Sequence, residues 1–222
     1  MTFEQYYDSE YIQRGAYFVH HRQRFLQTWE AVEALGRRAG RVLDAGGVGP
    51  VACYLGLQGW EVHGSSVDLR GPLPFSAGWF DLILCTEVIE HIKDLDSRSQ
   101  ADLEAFNYSG VRNMLQEQRR TLRPDGALLI TTPNASAWHM LAKWLYGEVL
   151  LADPQHVREF TPADLERVAT DCGLRLVSMK VIESWGLGRI PAVEAIERLL
   201  HADPTLPAID RGDNLVAVFA RE

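Results

Sequence analysis

Short apolar runs alternate with longer polar or amphipathic stretches along most of this chain. The runs that predict strands cover residues 41–45, 61–64, 80–85, 127–132, 174–182 and 215–220. Because helix-length segments separate most of these runs, the pattern indicates a parallel α/β sheet with helices on both faces. The last two runs lack a clear crossover helix between them, so we expect them to pair antiparallel at the sheet edge.

The segments between these runs carry helix and turn signals. Residues 6–35 are amphipathic and predict one N-terminal helix. Residues 50–58 predict the next helix, with proline in the first turn, where it is tolerated. Thr161 is placed to cap a later helix, and the Pro-Asp-Gly sequence at 124–126 predicts a turn before the fourth strand.

The composition narrows the classes of function. Hydrophobic residues make up 46% and charged residues 23% of the 222 residues, so we expect residues 1–222 to form a single globular domain. The net charge of −8 argues against a nucleic-acid partner, because duplex binders need a basic face. There is no apolar run of about 18 residues and no signal-peptide pattern. The sequence therefore predicts a cytoplasmic protein with no membrane span.

A glycine-rich turn follows the first predicted strand and opens a helix. Residues 44–49 read Asp-Ala-Gly-Gly-Val-Gly, and glycines at such a turn let a ligand approach the backbone and the helix N-terminus. Residues 47–52 also match GxGxxA, a short dinucleotide-binding motif. Proteins with this motif carry an acidic residue about twenty positions later that binds the ribose. The corresponding positions are Ser65 and Ser66. The turn alone therefore leaves two cofactor classes open.

Three downstream blocks favour one of these classes. Residues 68–91 contain DLRGPLPF and then WFDLILCTEVIEH, residues 122–134 read LRPDGALLITTPN, and residues 156–162 read HVREFTP. In this order and spacing they resemble class I S-adenosylmethionine-dependent methyltransferases, in particular the methyltransferase type 11/23-like group. The resemblance covers residues 41–182 and implies a Rossmann-like sheet. The stretch 64–68 is too short for the usual second helix and third strand, so we expect a sheet trimmed by one edge strand.

The resemblance also implies a cofactor site. The positions that match it are Asp44, Gly46, Gly47, Gly49, Asp68, Leu69, Cys85 and Thr86. The glycines would line the methionine portion of S-adenosylmethionine, and Asp44 would orient the loop or accept a hydrogen bond from the methionine amine. Asp68 would face the adenine amino group, with a backbone contact from Leu69 beside it. Cys85 and Thr86 would border the reactive sulfonium.

Two departures from the family pattern leave alternatives open. Val48 stands where relatives have glycine, and a valine cannot take a positive φ without strain. The trimmed sheet also lacks the acid that holds the cofactor ribose. One alternative is therefore a non-catalytic binding protein with a methyltransferase fold. A second alternative is an NAD-dependent oxidoreductase, which the downstream blocks disfavour.

Histidines are the candidate catalytic residues. Methyl transfer to a hydroxyl or amine benefits from a base near neutral pH, and His91 and His156 fall inside family blocks, just beyond strand ends. His139 is a third candidate. The expected acceptor is a small metabolite methylated on oxygen or nitrogen, such as a sugar or glycan intermediate. Residues 1–40 would form a helical lid, and residues 134–160 an acceptor-side insertion whose apolar part is a substrate cover or a homodimer contact.

A metal site is a further reading of the same region. Glu87, Glu90 and His91 have helix-compatible spacing, so their side chains could share one face. With His156 they resemble the Glu-Glu-His-His metal site of small-RNA 2′-O-methyltransferases and, in part, that of ubiquinone-pathway O-methyltransferases. The Glu-Val-Ile-Glu-His pattern is also widespread among relatives that need no metal. In the RNA methyltransferases a second histidine lies close to the position that matches His156. This sequence has none there, so we expect no metal.

Overall fold

The computed structural model describes residues 1–95, 108–185, 191–202, 205 and 209–222, which contain one six-stranded sheet. Its strands are β1 (Arg41–Asp44), β2 (Glu61–Gly64), β3 (Phe80–Thr86), β4 (Leu122–Pro133), β5 (Leu174–Ile182) and β6 (Asn214–Arg221). The strand order is β2-β1-β3-β4-β6-β5. The first four strands in this order are parallel, and β6 runs antiparallel to both of its neighbours. The Rossmann-like class, the trimmed edge and the antiparallel last pair are confirmed.

Helices cover both faces of this sheet. They are α1 (Phe3–Glu10), α2 (Ala16–His20), α3 (Arg22–Glu33), α4 (Pro50–Leu57), α5 (Ser109–Thr121), α6 (Trp138–Leu145), α7 (Pro162–Thr170) and α8 (Pro191–Ala202). The prediction of one helix over residues 6–35 was wrong, because the segment is divided into α1, α2 and α3. Gly15 interrupts it with a φ of 143°, a conformation outside the helical region that glycine adopts without strain. None of the helices in the described ranges is long and apolar enough to cross a membrane.

Local signals account for the ends of two other elements. Thr161 caps α7, since its hydroxyl oxygen accepts a hydrogen bond from the Asp164 amide at 3.1 Å, as the sequence predicted. The predicted turn at 124–126 lies within β4 rather than before it. Residues 123–126 bulge out of the sheet, because Phe80 pairs with Leu122 whereas Leu82 pairs with Ala127.

Alternation along β3 divides the core into two layers. Ile83 and Cys85 face α5 and α7, whereas Leu82 and Leu84 face the layer formed by α1, α3 and α4. The second layer is rich in aromatic residues, among them the buried residues Phe3, Tyr6, Tyr7, Tyr11 and Tyr54. The α1 tyrosines therefore serve as ordinary core packing, and the carboxyl ends of β1, β3 and β4 are left to form the site.

Candidate active site

The glycine loop joins β1 to α4. Gly47 has a φ of 98°, which only glycine adopts readily. Gly46 packs so closely against the segment after β3 that a Cβ atom there would lie 2.6 Å from Cγ2 of Val88. Gly47 is therefore required by the backbone conformation, and Gly46 by the close approach of the Val88 side chain.

Val48 does not strain this loop. The positive φ falls on Gly47, and Val48 does not adopt one. The Val48 side chain is 50% exposed and lies against Gly64 at the end of β2. The sequence predicted strain only if residue 48 needed a positive φ, and this loop places that conformation one residue earlier.

Asp44 is a buried carboxylate at the start of the loop. Its Oδ2 atom accepts a hydrogen bond from the Gly49 amide at 2.9 Å, whereas its buried Oδ1 atom has no partner among the described residues. Burial raises the pKa of Asp44 to about 6, because the charged form is desolvated. Next to it, the Ser65 amide donates to the Asp44 carbonyl oxygen, and the buried Ser65 hydroxyl is also unpartnered within the described ranges.

The remaining predicted cofactor residues lie nearby with different exposures. Asp68 is an exposed loop acid whose carboxylate is bound by Arg70 at 2.7 Å, which lowers the pKa of Asp68 to about 2. Leu69 is buried, and Thr86 is partly buried at the end of β3. The Cys85 side chain is fully buried in the core, and burial raises the pKa of its thiol to about 12. Any contact of Cys85 with a cofactor would therefore involve its backbone.

The segment after β3 does not form the α-helix that the spacing of Glu87, Glu90 and His91 suggested. Glu87 has a φ of 54°, and residues 89–91 form a single 3-10 turn. A positive φ at a non-glycine residue is unfavourable and persists where surrounding contacts enforce it. Here the Glu87 carboxylate accepts hydrogen bonds from Thr131 at 2.8 Å and Asn214 at 3.1 Å.

A buried arginine completes the partners of Glu87. Nη1 of Arg24, on α3, lies 3.0 Å from Oε2 of Glu87, and both side chains are largely buried. Arg24 also donates to the Tyr17 hydroxyl at 2.8 Å. Arg24 was not predicted as a site residue. Its spacing of four and eight residues from Thr28 and the apolar Val32 on α3 was a signal that it faces inward.

A cavity of about 400 Å³ lies beyond the carboxyl ends of β3 and β4. It is lined by Tyr17, His20, His21, Arg24, Glu87, Glu90, His91, Ala152, Asp153, Gln155, His156 and Trp185, and we call it the acceptor cavity. Both predicted catalytic histidines, His91 and His156, belong to it. His139 is not among its lining residues and instead packs against Trp185, with ring centroids 5.2 Å apart. Burial lowers the pKa of His21 to about 4, so its imidazole is neutral at pH 7.

His91 and His156 meet at one end of the acceptor cavity. Their ring centroids are 4.6 Å apart and the rings are nearly perpendicular. Nδ1 of His156 lies 2.8 Å from a carboxylate oxygen of Glu159, and Nδ1 of His91 lies 3.3 Å from the Gln155 carbonyl oxygen. Since both partners are acceptors, each Nδ1 atom carries a hydrogen, and in a ring with one N–H hydrogen the lone pair then lies on Nε2. Glu159, which orients His156, was not predicted as a site residue, although it lies three residues after His156 in the HVREFTP block at 156–162.

Glu90 lies beneath the two imidazoles and is 0% exposed. Its Oε2 atom accepts a hydrogen bond from the Thr132 hydroxyl at 2.9 Å, and its Oε1 atom is buried with no partner in the described part of the chain. Burial, with a smaller contribution from the nearby Glu87 carboxylate, raises the pKa of Glu90 well above its ordinary value. Residues 87–91 connect the two parts of the site. Val88 packs against Gly46 of the glycine loop, and Glu87, Glu90 and His91 line the acceptor cavity.

Comparisons with known proteins bear on the family and the fold of the chain. A family model described as "Methyltransferase domain" matches residues 18–179. A SAM-dependent methyltransferase from Archaeoglobus fulgidus is similar in structure, with a TM-score of 0.57, 16% identity, and 92% of this chain and 99% of that chain covered. A SAM-dependent methyltransferase from Thermotoga maritima is also similar in structure, with a TM-score of 0.57, 18% identity, and 99% of this chain and 98% of that chain covered. No curated protein matches the sequence.

A third similar structure contains a bound cofactor product. It is the 1,6-didemethyltoxoflavin-N1-methyltransferase of Burkholderia thailandensis, solved with 1,6-didemethyltoxoflavin and S-adenosylhomocysteine. Its TM-score is 0.54 at 16% identity, with 99% of this chain and 86% of that chain covered. At these identities the three structures establish a shared fold.

Proposed function

Because this chain belongs to the methyltransferase domain family, whose cofactor is S-adenosylmethionine, we propose that it methylates an oxygen or nitrogen of a small polar metabolite held in the acceptor cavity. The observation that carries this proposal is the position of the cavity, which adjoins the glycine loop through Val88. Its volume of about 400 Å³ falls in the range of small-molecule sites. Family membership also decides against the NAD-dependent alternative.

The loop residues fit the cofactor. A cofactor bound there supplies a methyl group that its positively charged sulfur has already activated. The buried Oδ1 atom of Asp44 and the buried Ser65 hydroxyl lack partners among the described residues, so they can accept hydrogen bonds from an ammonium and from a ribose hydroxyl. Ser65 thus stands in for the ribose acid that the trimmed sheet lacks. Gly46, Gly47 and Gly49 provide the close backbone approach.

The acceptor side is polar and aromatic. The rings of Tyr17 and Trp185 offer flat apolar faces, and the lining carboxylates and imidazoles offer hydrogen bonds. This combination suits a hydroxylated compound such as a sugar or glycan intermediate. His91 and His156 are the groups through which the acceptor would lose its proton as the new bond to the methyl carbon forms.

Segments at both ends of the acceptor cavity would control access to it. Tyr17 and His20 lie on α2 and line the cavity, so α2 is the part of residues 1–40 that would act as the lid. Ala152, Asp153 and His156 contribute from the insertion at 134–160. These positions support an enclosed reaction site from which water is excluded during transfer.

Calorimetry and a turnover assay test this function. The wild-type protein is expected to bind S-adenosylmethionine and S-adenosylhomocysteine, and to show no affinity for NAD. Transfer of labelled methyl to a panel of sugars, phenols and amines then identifies the acceptor class. His156→Ala should abolish transfer while S-adenosylhomocysteine affinity is retained. A wild-type protein that binds neither sulfur compound would overturn the proposal.

A further inference from the structure

Three ligand-type side chains converge inside the acceptor cavity. Glu90, His91 and His156 each offer one donor atom, and these atoms lie within 4.8 Å of one another. Ligand atoms around one ion with bonds of about 2.1 Å are separated by about 3.0–3.4 Å. Side-chain movements of about 1 Å therefore bring all three onto a single ion.

The hydrogen-bond partners leave the right atoms free for this role. Glu159 and the Gln155 carbonyl engage Nδ1 of His156 and of His91, respectively, so both rings keep a lone pair on Nε2. A carboxylate or carbonyl behind an imidazole is the usual outer support of a metal-binding histidine. Oε1 of Glu90 is fully buried without a partner among the described residues, and Nε2 of His91 is 3.9 Å from it.

The local charge also favours a cation. The side chains of Glu87, Glu90 and Glu159 are at most 14% exposed, and all three carboxylates lie around the histidine pair. Arg24 pairs with Glu87 and neutralises one of them. Buried carboxylates without a counter-charge are costly, so a divalent ion beside Glu90 would stabilise this arrangement.

Glu87 is distinguished from the other residues by its contacts. Arg24, Thr131 and Asn214 already satisfy both of its carboxylate oxygens. Oε2 of Glu159 is also buried without a partner among the described residues, but the donor atoms that lie within 4.8 Å of one another belong to Glu90, His91 and His156. The set is therefore one carboxylate and two imidazoles. Such a set leaves open coordination positions and suits Zn²⁺, Mn²⁺, Fe²⁺ or Co²⁺.

We propose that Glu90, His91 and His156 bind one divalent transition-metal ion, and that an oxygen of the acceptor occupies one of its open positions. This inference rests on the proposed function, because it places the acceptor in the same cavity, and it narrows the acceptor to a hydroxyl compound. The ion would polarise the hydroxyl and, because both Nε2 lone pairs would then be on the ion, the proton would pass to water in the cavity instead of directly to a histidine. The oxygen–methyl bond would form as the methyl–sulfur bond breaks, with the electron pair of that bond remaining on the sulfur. Contrary to the sequence expectation of no metal, the site is a three-ligand one that excludes Glu87.

Metal titration without cofactor or acceptor tests this proposal. Protein stripped with a chelator is titrated by calorimetry with Mn²⁺, Co²⁺ or Zn²⁺ alone, and one ion per chain is expected. His91→Ala and His156→Ala should each weaken binding by more than about 100-fold. Because His91 is partly exposed, its replacement is expected to fold, and circular dichroism checks this. The visible absorption of the Co²⁺ complex should change in both variants.

Two control variants sharpen the result. Glu87→Gln should bind the ion within about threefold of the wild type, and His63→Ala, on β2, should bind it equally well. Equal affinity in the wild type and both histidine variants, or no binding by the wild type, would overturn the proposal. A loss in Glu87→Gln as large as in His91→Ala would refute the three-ligand set. Because S-adenosylhomocysteine binding to metal-free protein is measured separately, failure here is distinguishable from failure of the proposed function.

Discussion

Replacing Asp44 with asparagine removes a buried charge that destabilises the apo-protein at neutral pH. Burial raises the pKa of this carboxyl from 3.8 to about 6, and hydrogen bonding from the backbone, with the Gly49 amide at 2.9 Å as the largest contribution, compensates only partly. The difference between these pKa values corresponds to about 3 kcal/mol of unfavourable free energy for the charged form in the folded state. Allowing about 1 kcal/mol for a weaker hydrogen bond, we expect Asp44→Asn to stabilise the apo-protein by about 2 kcal/mol at pH 7.5.

The raised pKa of Asp44 makes the stability of the wild-type protein fall as the pH rises. Folded Asp44 binds its proton more tightly than unfolded Asp44, so its contribution to stability is fully present below pH 3.8 and is lost as the pH rises through about 6. Between pH 5.0 and pH 7.5 the wild type should lose about 1.4 kcal/mol relative to Asp44→Asn. The advantage of the variant therefore grows as the pH rises.

Urea unfolding followed by circular dichroism at pH 5.0 and pH 7.5 measures this difference. Glu166→Gln, which removes an exposed acid on α7, is the control and should change stability by less than about 0.5 kcal/mol. The same variant of Asp44 should bind S-adenosylhomocysteine at least tenfold more weakly, because the unpartnered oxygen loses its charge. An Asp44→Asn protein that is less stable than the wild type at pH 7.5, or has the same pH dependence, would refute the reasoning.

Three further substitutions test the loop and the buried ion pair. Gly46→Ala places a Cβ 2.6 Å from Cγ2 of Val88, so S-adenosylhomocysteine affinity by calorimetry should fall at least tenfold; an unchanged affinity would show that the loop relaxes freely. Val48→Gly should change that affinity by less than about threefold, since the loop does not use a positive φ there, whereas a tenfold gain would mean that Val48 hinders the cofactor. Arg24→Ala leaves Glu87 buried and unpaired, and urea unfolding should report a loss of about 3 kcal/mol; a loss below about 1 kcal/mol would contradict a structural ion pair.

The strands and the glycine loop were predictable from local signals. The strand runs, the Thr161 cap and the Gly46–Gly49 turn depend on side-chain alternation and backbone preferences that a short stretch of sequence carries. The antiparallel pairing of the last two strands was predicted correctly, but the reason given for it was wrong, because α8 lies between β5 and β6. The strands, the cap and the turn are each determined within one short segment, so the sequence of that segment is enough to predict them.

The features of the site that were not predictable depend on distant parts of the chain. The left-handed backbone at Glu87 is held by Arg24 from α3, Thr131 from β4 and Asn214 from β6, so spacing alone suggested a helix that does not form. Alternation in β3 could not say which core layer Cys85 would face. The unpartnered oxygen of Glu90 results from tertiary packing, which no local pattern records.

A crystal structure of the protein with S-adenosylhomocysteine tests the central claim most directly. We predict the product at the Gly46–Gly49 loop, with its amine against Asp44, its ribose near Ser65 and its sulfur beside Val88 at the mouth of the acceptor cavity. Binding at another surface, or a sulfur that points away from His91 and His156, would contradict the account.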